Sequence, residues 1–299
     1  MNGMKLIEIL KNGKVNISCE LFPPKEGASL DKAELIVAQT AALHPAFISV
    51  TYGAGGGRRQ HTIEMADAVQ NKNHTTALAH LTCVMSSRES IRENVELLKN
   101  AGIENILALR GDPPVGDPAA QIGEYRHANE LIEEIRRMGD FCIGGACYPE
   151  GHTEAESIER DTDYLKVKQD AGCEFFTTQM FFDNNILYHF LYRLLRKGID
   201  VPVVAGVMPV TNAKQLQRIR SLSGTLLPRR FRAIVERFAD NPQAMQQAGI
   251  AYATEQIIDL VANGVNNIHI YTMNKPEIAG KIMENLSDIR ACGGGKELS

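Results

Sequence analysis

Short apolar runs rich in β-branched residues recur along the whole chain, at 15–22, 47–52, 76–83, 105–109, 141–148, 174–182, 201–207 and 267–271. Each has the length of a strand, and several are apolar almost without interruption, as parallel strands covered on both faces must be. Between them the apolar positions change period. Ile91, Val95 and Leu98, then Ala128, Leu131, Ile135 and Met138, recur at three and four residues and mark the buried face of a helix. Ser86 before Glu89, Thr153 before Glu156 and Asn274 before Glu277 have the spacing of a capping box and predict helix starts. Gly102, Gly172, Gly198 and Gly264 each follow a helical segment and precede a strand, where a left-handed residue ends the helix.

Strand, polar loop, helix, glycine and next strand specify right-handed βαβ units in a parallel sheet. Eight of them predict a closed (β/α)8 TIM barrel, one domain over 1–299. The alternative is an open doubly wound sheet, but the first strand runs into Phe22-Pro23-Pro24-Lys25 and not into a Gly-x-Gly-x-x-Gly turn. The stretch 212–263 exceeds one crossover. Pro228 and Pro242 break it into several helices, which read as extra helices of the seventh unit.

Composition narrows the function. A chain of 299 residues, 44% hydrophobic, can bury a core of this size. Its net charge of −4 and the lack of Lys/Arg runs interleaved with aromatics exclude nucleic acid as an expected partner. No apolar stretch approaches the ~20 residues that span a bilayer, and Lys5, Glu8, Lys11 and Lys14 interrupt the amino terminus as no signal peptide would allow. A soluble, cytoplasmic protein is expected. Cys19, Cys83, Cys142, Cys147, Cys173 and Cys292 form no C-x-x-C pair, so buried thiols are expected and a metal site is not.

In such a barrel chemistry gathers at the carboxyl ends of the strands. Glu20 lies inside an apolar strand. Either its pKa is raised, which suits a general acid, or it is paired with a Lys or Arg; the residues alone leave both open. Asp112, after Arg110-Gly111, is either a turn cap before Pro113-Pro114 or a second carboxylate with a separate role. His80 is either a base or a hydrogen-bonded structural or cofactor contact. The glycine-rich stretch 53–59 lacks the Lys-Ser/Thr of a P-loop and reads as a border of the barrel mouth. Lys166 and Lys168 follow the fifth strand and are either solvated or within reach of an anionic cofactor group.

Glu20-Leu21-Phe22-Pro23-Pro24, Ser49-Val50-Thr51-Tyr52-Gly53, His80-Leu81-Thr82-Cys83, Ala108-Leu109-Arg110-Gly111-Asp112 and Tyr148-Pro149-Glu150 occur in this order. With Thr178-Gln179-Met180-Phe181-Phe182-Asp183, Met208-Pro209-Val210 and Tyr271-Thr272-Met273-Asn274, they span nearly the whole chain. This set closely resembles the bacterial 5,10-methylenetetrahydrofolate reductases. The resemblance implies a barrel that holds FAD noncovalently, accepts hydride from NADH or NADPH, and passes it to methylenetetrahydrofolate by a ping-pong route. It implies Glu20 as the general acid that opens the folate ring to an iminium, and Asp112 as a modulator of flavin potential that also helps to hold folate. Gln179, Gln215, Ile219 and Lys275 fall on the substrate side. Thr51, His80, Leu109, Arg110, Gly111, Tyr125, Ala146, Tyr148, His152, Asp161, Tyr164 and Lys168 fall at FAD-contact positions, Asp112 among them.

The chain departs from the enteric members at Tyr164, where they carry Asn, at Ala213 and Ile219, where they carry aromatics, and at Lys275, where Arg loses its planar fork. NADH is the donor implied, with NADPH or a ferredoxin-linked partner complex as alternatives. A homo-oligomer without a regulatory extension is expected. Two other readings use the same barrel: a proline-dehydrogenase-like FAD enzyme, and a silent subunit of a larger redox complex.

Overall fold

The computed structural model describes residues 4–24, 30–52, 56–112, 123–212, 215–216, 219 and 225–291. Gly53-Ala54-Gly55, Pro113-Pro114, Ala213 and Cys292, and the side chains of 56–59, lie outside the described residues.

Eight strands form where the apolar runs predict them: β1 Asn16–Leu21, β2 Ile48–Val50, β3 Ala77–Thr82, β4 Asn105–Leu109, β5 Cys142–Cys147, β6 Phe175–Thr178, β7 Val203–Val207 and β8 Asn267–Tyr271. All neighbours are parallel, the order follows the chain, and β8 closes onto β1 through the register Ser18 to His269 and Glu20 to Tyr271. The (β/α)8 barrel is therefore closed. The alternative, an open doubly wound sheet, is excluded by the β8–β1 pairing.

A short helix, α1 Leu6–Leu10, plugs the amino-terminal end, where Leu6 N donates to Asn105 Oδ1 at 2.8 Å. Leu6, Phe47, Leu78, Leu107, Phe175 and Val204 fill this floor. At Gly144 a Cβ would overlap the Phe175 ring, so the residue's smallness is a packing requirement. Outside the sheet lie α2 Leu30–Ala41, α3 Gly56–Asp67 with a π turn over Ala68–Lys72, α4 Arg88–Asn100, α5 Ala128–Met138, α6 Ile158–Asp170 and α7 Asn184–Arg196. The seventh unit continues with α8 Arg229–Phe238 and α9 Pro242–Ala262, and α10 Pro276–Asn285 and α11 Ser287–Ala291 follow β8.

The predicted helix stops hold: Gly102, Gly172, Gly198 and Gly264 all have positive φ. The predicted starts do not. The cap of α4 is Ser87, which accepts from Ser90 N, one residue after Ser86. The cap of α6 is Ser157, four residues after Thr153. Lys275, not Asn274, precedes α10, and no side chain caps it. At α4 and α6 another polar residue in the loop takes the role, and spacing to a glutamate does not decide between them. Pro228 and Pro242 stand where predicted, at the starts of α8 and α9.

In the seventh unit Phe182, Val210, Ile219, Phe231, Val235 and Met245 form a separate apolar cluster beside the main core. It seats α9 close to the end of β7: a Cβ on Gly249 would overlap the Val210 carbonyl oxygen. The five described cysteines are buried and free. Among the described residues no helix is long and apolar enough to cross a membrane.

Candidate active site

Two adjoining cavities open at the carboxyl ends of the strands. The first, about 500 Å³, is the barrel mouth, with Glu20, Thr51, His80, Asp112, Tyr148 and Gln179 on its walls. The second, about 550 Å³, is a groove outside the ends of β4 and β5, between α5 and α6, lined by Arg110, His127, His152, Asp161, Tyr164 and Lys168. Leu109, Gly111, Asp112, Ala146 and Tyr148 line both.

Strand alternation turns Ser18 and Glu20 to the same side of β1. The side chain of Glu20 is 21% accessible, and its Oε2 stands 3.9 Å from His80 Nε2. Desolvation pushes the Glu20 carboxyl up to about 8 and the His80 imidazole down to about 3. At neutral pH both are therefore mostly uncharged, and the contact is not an ion pair despite its distance. Among the described residues no lysine or arginine lies within ion-pair distance of Glu20. A pKa of about 3 also unsuits His80 as a base at neutral pH.

The loop after β8 holds the end of β1. Thr272 Oγ1 donates to Glu20 O at 2.6 Å. The Asn274 amide accepts from Phe22 N at 2.9 Å and donates to Phe22 O at 2.8 Å, as another strand would. Met273 and Asn274 both take left-handed backbone, with φ of 53° and 55°. Consecutive left-handed residues other than glycine are costly, and here they aim Asn274 at the end of the neighbouring strand β1.

Beneath Glu20 lies a histidine that sequence reasoning passed over. Ser18 Oγ donates to Ile268 O at 2.9 Å, so it must accept from His269 Nδ1, 2.7 Å away. The other ring nitrogen then accepts from Ser49 Oγ at 3.0 Å. The ring stacks on Phe47 and meets Tyr271 edge-on, and burial lowers its pKa to about 3. Tyr271 OH donates to Thr178 O at 2.5 Å. A Cβ on Gly206 would come within 2.6 Å of the Tyr271 ring, so glycine leaves room for it. The i, i+2 pairs Ser18/Glu20 and His269/Tyr271 were the available signal, since both polar members of each pair share one face.

In the groove Lys168 Nζ donates to Ala146 O at 2.8 Å, and burial lowers its pKa. No carboxylate among the described residues lies within ion-pair distance of it. His127, the residue before α5, offers no side-chain cap, so the amino end of that helix and its dipole border the groove. Arg110 forms a two-bond fork with Glu154 at 2.5 and 2.9 Å. His152 N donates to Asp161 at 3.1 Å, and the His152 ring packs edge-on to Tyr148 at 4.6 Å. Burial pushes Tyr148 up to about 12, so it stays a phenol. Gly111 turns the chain at φ 85°, where a Cβ would meet Val84 at 2.8 Å. Lys168 and the amino end of α5 are the groove's features that suit an anionic group; Arg110 is paired with Glu154, and Asp112 and Asp161 also line the groove.

Of the residues expected at the site, Glu20, Thr51, His80, Leu109, Gly111, Asp112, Ala146, Tyr148 and Gln179 meet in the mouth. Arg110, His152, Asp161, Tyr164 and Lys168 meet in the groove. Four others line neither cavity. Tyr125 is buried beneath Arg88, whose guanidinium lies 5.1 Å from the ring centre. Gln215 Oε1 accepts from Thr211 N and Asn212 N at 2.8 and 3.1 Å, Ile219 packs in the satellite cluster, and Lys275 precedes α10.

The family model described as methylenetetrahydrofolate reductase matches residues 5–287. The chain belongs to the methylenetetrahydrofolate reductase family. The 5,10-methylenetetrahydrofolate reductase of Pectobacterium carotovorum subsp. carotovorum is 34% identical over 92% of this chain and 91% of its own length. That of Escherichia coli (strain K12) is 32% identical over the same shares. Methylenetetrahydrofolate reductase (NADH) 1 of Zea mays is 36% identical over 94% of this chain, which spans 50% of the plant protein. A solved Clostridium thermocellum protein, described as binding two copies of 5-methyl-5,6,7,8-tetrahydrofolic acid, superposes with a TM-score of 0.65 at 16% identity. It covers 97% of this chain and 100% of its own, and at that identity the likeness is one of fold.

Proposed function

We propose that this family member reduces 5,10-methylenetetrahydrofolate to 5-methyltetrahydrofolate, with NADH or NADPH as hydride donor and FAD as the resident carrier. The observation that carries the reading is Glu20, a carboxyl with a pKa of about 8 in the open mouth, next to a groove suited to an anionic tail. Lys168, Arg110 and the amino end of α5 would hold the diphosphate of FAD. Leu109, Ala146 and Tyr148, which line both cavities, would hold its ring. When bound, the flavin supplies hydride transfer in two halves, from the nicotinamide and then to the folate. One mouth then serves the two substrates in turn.

Glu20 gives its proton to the folate nitrogen whose bond to the bridging carbon breaks, so the ring opens to the iminium that accepts hydride. A carboxyl with its ordinary pKa would have lost that proton at neutral pH. The open mouth returns a proton to Glu20 from solvent. Asp112 is exposed and lines both cavities, so its charge acts on a ring held there and on the folate beside it. Gln179 Oε1 accepts from Met180 N at 3.1 Å, which leaves its amide NH2 for the folate.

Stopped-flow kinetics separates the two halves. Glu20→Gln should lose folate reduction by at least a hundredfold, the weight of a positioned general acid at about 10²–10⁴. NADH-driven flavin reduction should be kept. Equal loss in both halves would remove Glu20 as the acid. Bleaching of the yellow protein by proline would favour the proline-dehydrogenase-like enzyme, and a colourless protein that takes up no FAD would favour the silent subunit.

A further inference from the structure

β6 ends in two threonines whose hydroxyls are used differently. Thr178 Oγ1 accepts from Gly206 N at 2.8 Å, and the Thr178 carbonyl accepts from Tyr271 OH at 2.5 Å, so this residue ties β6 to β7 and β8. Thr177 is 6% exposed and lines the mouth, and its Oγ1 has no hydrogen-bond partner among the described residues. Three strands round the wall, His80 Nε2 is in the same condition.

A buried hydroxyl without a partner costs about 1–3 kcal/mol. Valine has nearly the same shape and would avoid that cost. Thr177 therefore makes sense through something that enters the mouth. Its register partner on β5 is Ala146, which lines both the mouth and the groove. The ring that Thr177 faces is thus the one whose tail can run into the groove. Flavin and pterin offer similar polar edges, and this placement favours the flavin.

We propose that Thr177 is a cofactor-binding residue whose hydroxyl hydrogen-bonds the polar edge of the flavin ring. The inference rests on the FAD reading above. It assigns a hydroxyl that the family resemblance left without a role.

The test uses the full chain freed of flavin, titrated with FAD, for wild type, Thr177→Val and Thr177→Ser. Thr177→Val should weaken FAD binding about tenfold or more, equivalent to ~1.4 kcal/mol. It should also raise the melting temperature of the flavin-free protein and shift the visible band of bound FAD. Thr177→Ser should stay within about threefold of wild type. Equal FAD affinity in wild type and Thr177→Val overturns the inference alone. So does equal weakening in both variants, which would mark packing by the methyl group. Unchanged FAD affinity with weakened methyltetrahydrofolate binding moves the contact to the folate and overturns the flavin assignment. Failure of wild type to take up FAD overturns the FAD reading and this inference together.

Discussion

Glu20 and His80 stand 3.9 Å apart, a distance at which a carboxylate and an imidazolium would pair, yet desolvation drives each toward its neutral form. The consequence for stability has a definite sign. The folded-state pKa of Glu20 is raised from 4.5 to about 8. Below about pH 4.5 both folded and unfolded states hold the proton, and nothing is lost. Between there and about pH 8 unfolding releases the proton, so stability falls as pH rises. Glu20→Gln cannot titrate. Its stability relative to wild type should therefore climb between pH 5 and pH 8, read from urea midpoints at the two values. A constant difference would show that Glu20 is not held protonated. The burial of Glu20 was legible in the sequence, as a carboxyl inside an apolar run. That no cation among the described residues reaches it was not, because a partner can come from any strand of the barrel.

The elements show why helix ends were read less well than helix faces. Four glycines stop helices where predicted, since a left-handed residue before a strand is a local requirement. Ser87 and Ser157 start helices where Ser86 and Thr153 were expected, because several polar residues can cap and packing selects one. Asn274 is the instructive case. Its spacing to Glu277 suggested a cap, but its side chain reaches 252 residues back along the chain and bonds both polar atoms of the Phe22 backbone. Asn274→Ala should remove both bonds and strain the left-handed backbone at φ 55°. A loss of about 1–3 kcal/mol is expected, checked by chemical denaturation. Hydrogen exchange should speed up at the Phe22 amide and leave the β4 amides unchanged.

For the whole molecule, barrel closure separates stability from chemistry. One end is sealed by α1 and the floor of large apolar side chains, and the other carries polar residues from most of the strands. FAD bound in the mouth and groove would join β4, β5, α5 and α6. At a hundredfold excess over its Kd it should stabilise the fold by about 2.7 kcal/mol. Thermal melts with and without FAD should register this as a clear rise in melting temperature. Lys168→Met should shrink the rise, since it removes a groove cation that has no carboxylate partner among the described residues. An undiminished rise would place the diphosphate elsewhere.

The sequence by itself determined the number, order and direction of the strands. Apolar period, run length and glycine position are local properties, and eight repeats of one unit leave few ways to pack. It also marked which strand ends are polar. Only the tertiary structure decided which of those polar groups meet. The His269 ring is held by Ser18 and Ser49, the end of β1 is held by Asn274, and the Thr177 hydroxyl is left without a partner among the described residues. Each depends on register and closure between segments far apart in the chain, and so does the desolvation that keeps a proton on Glu20.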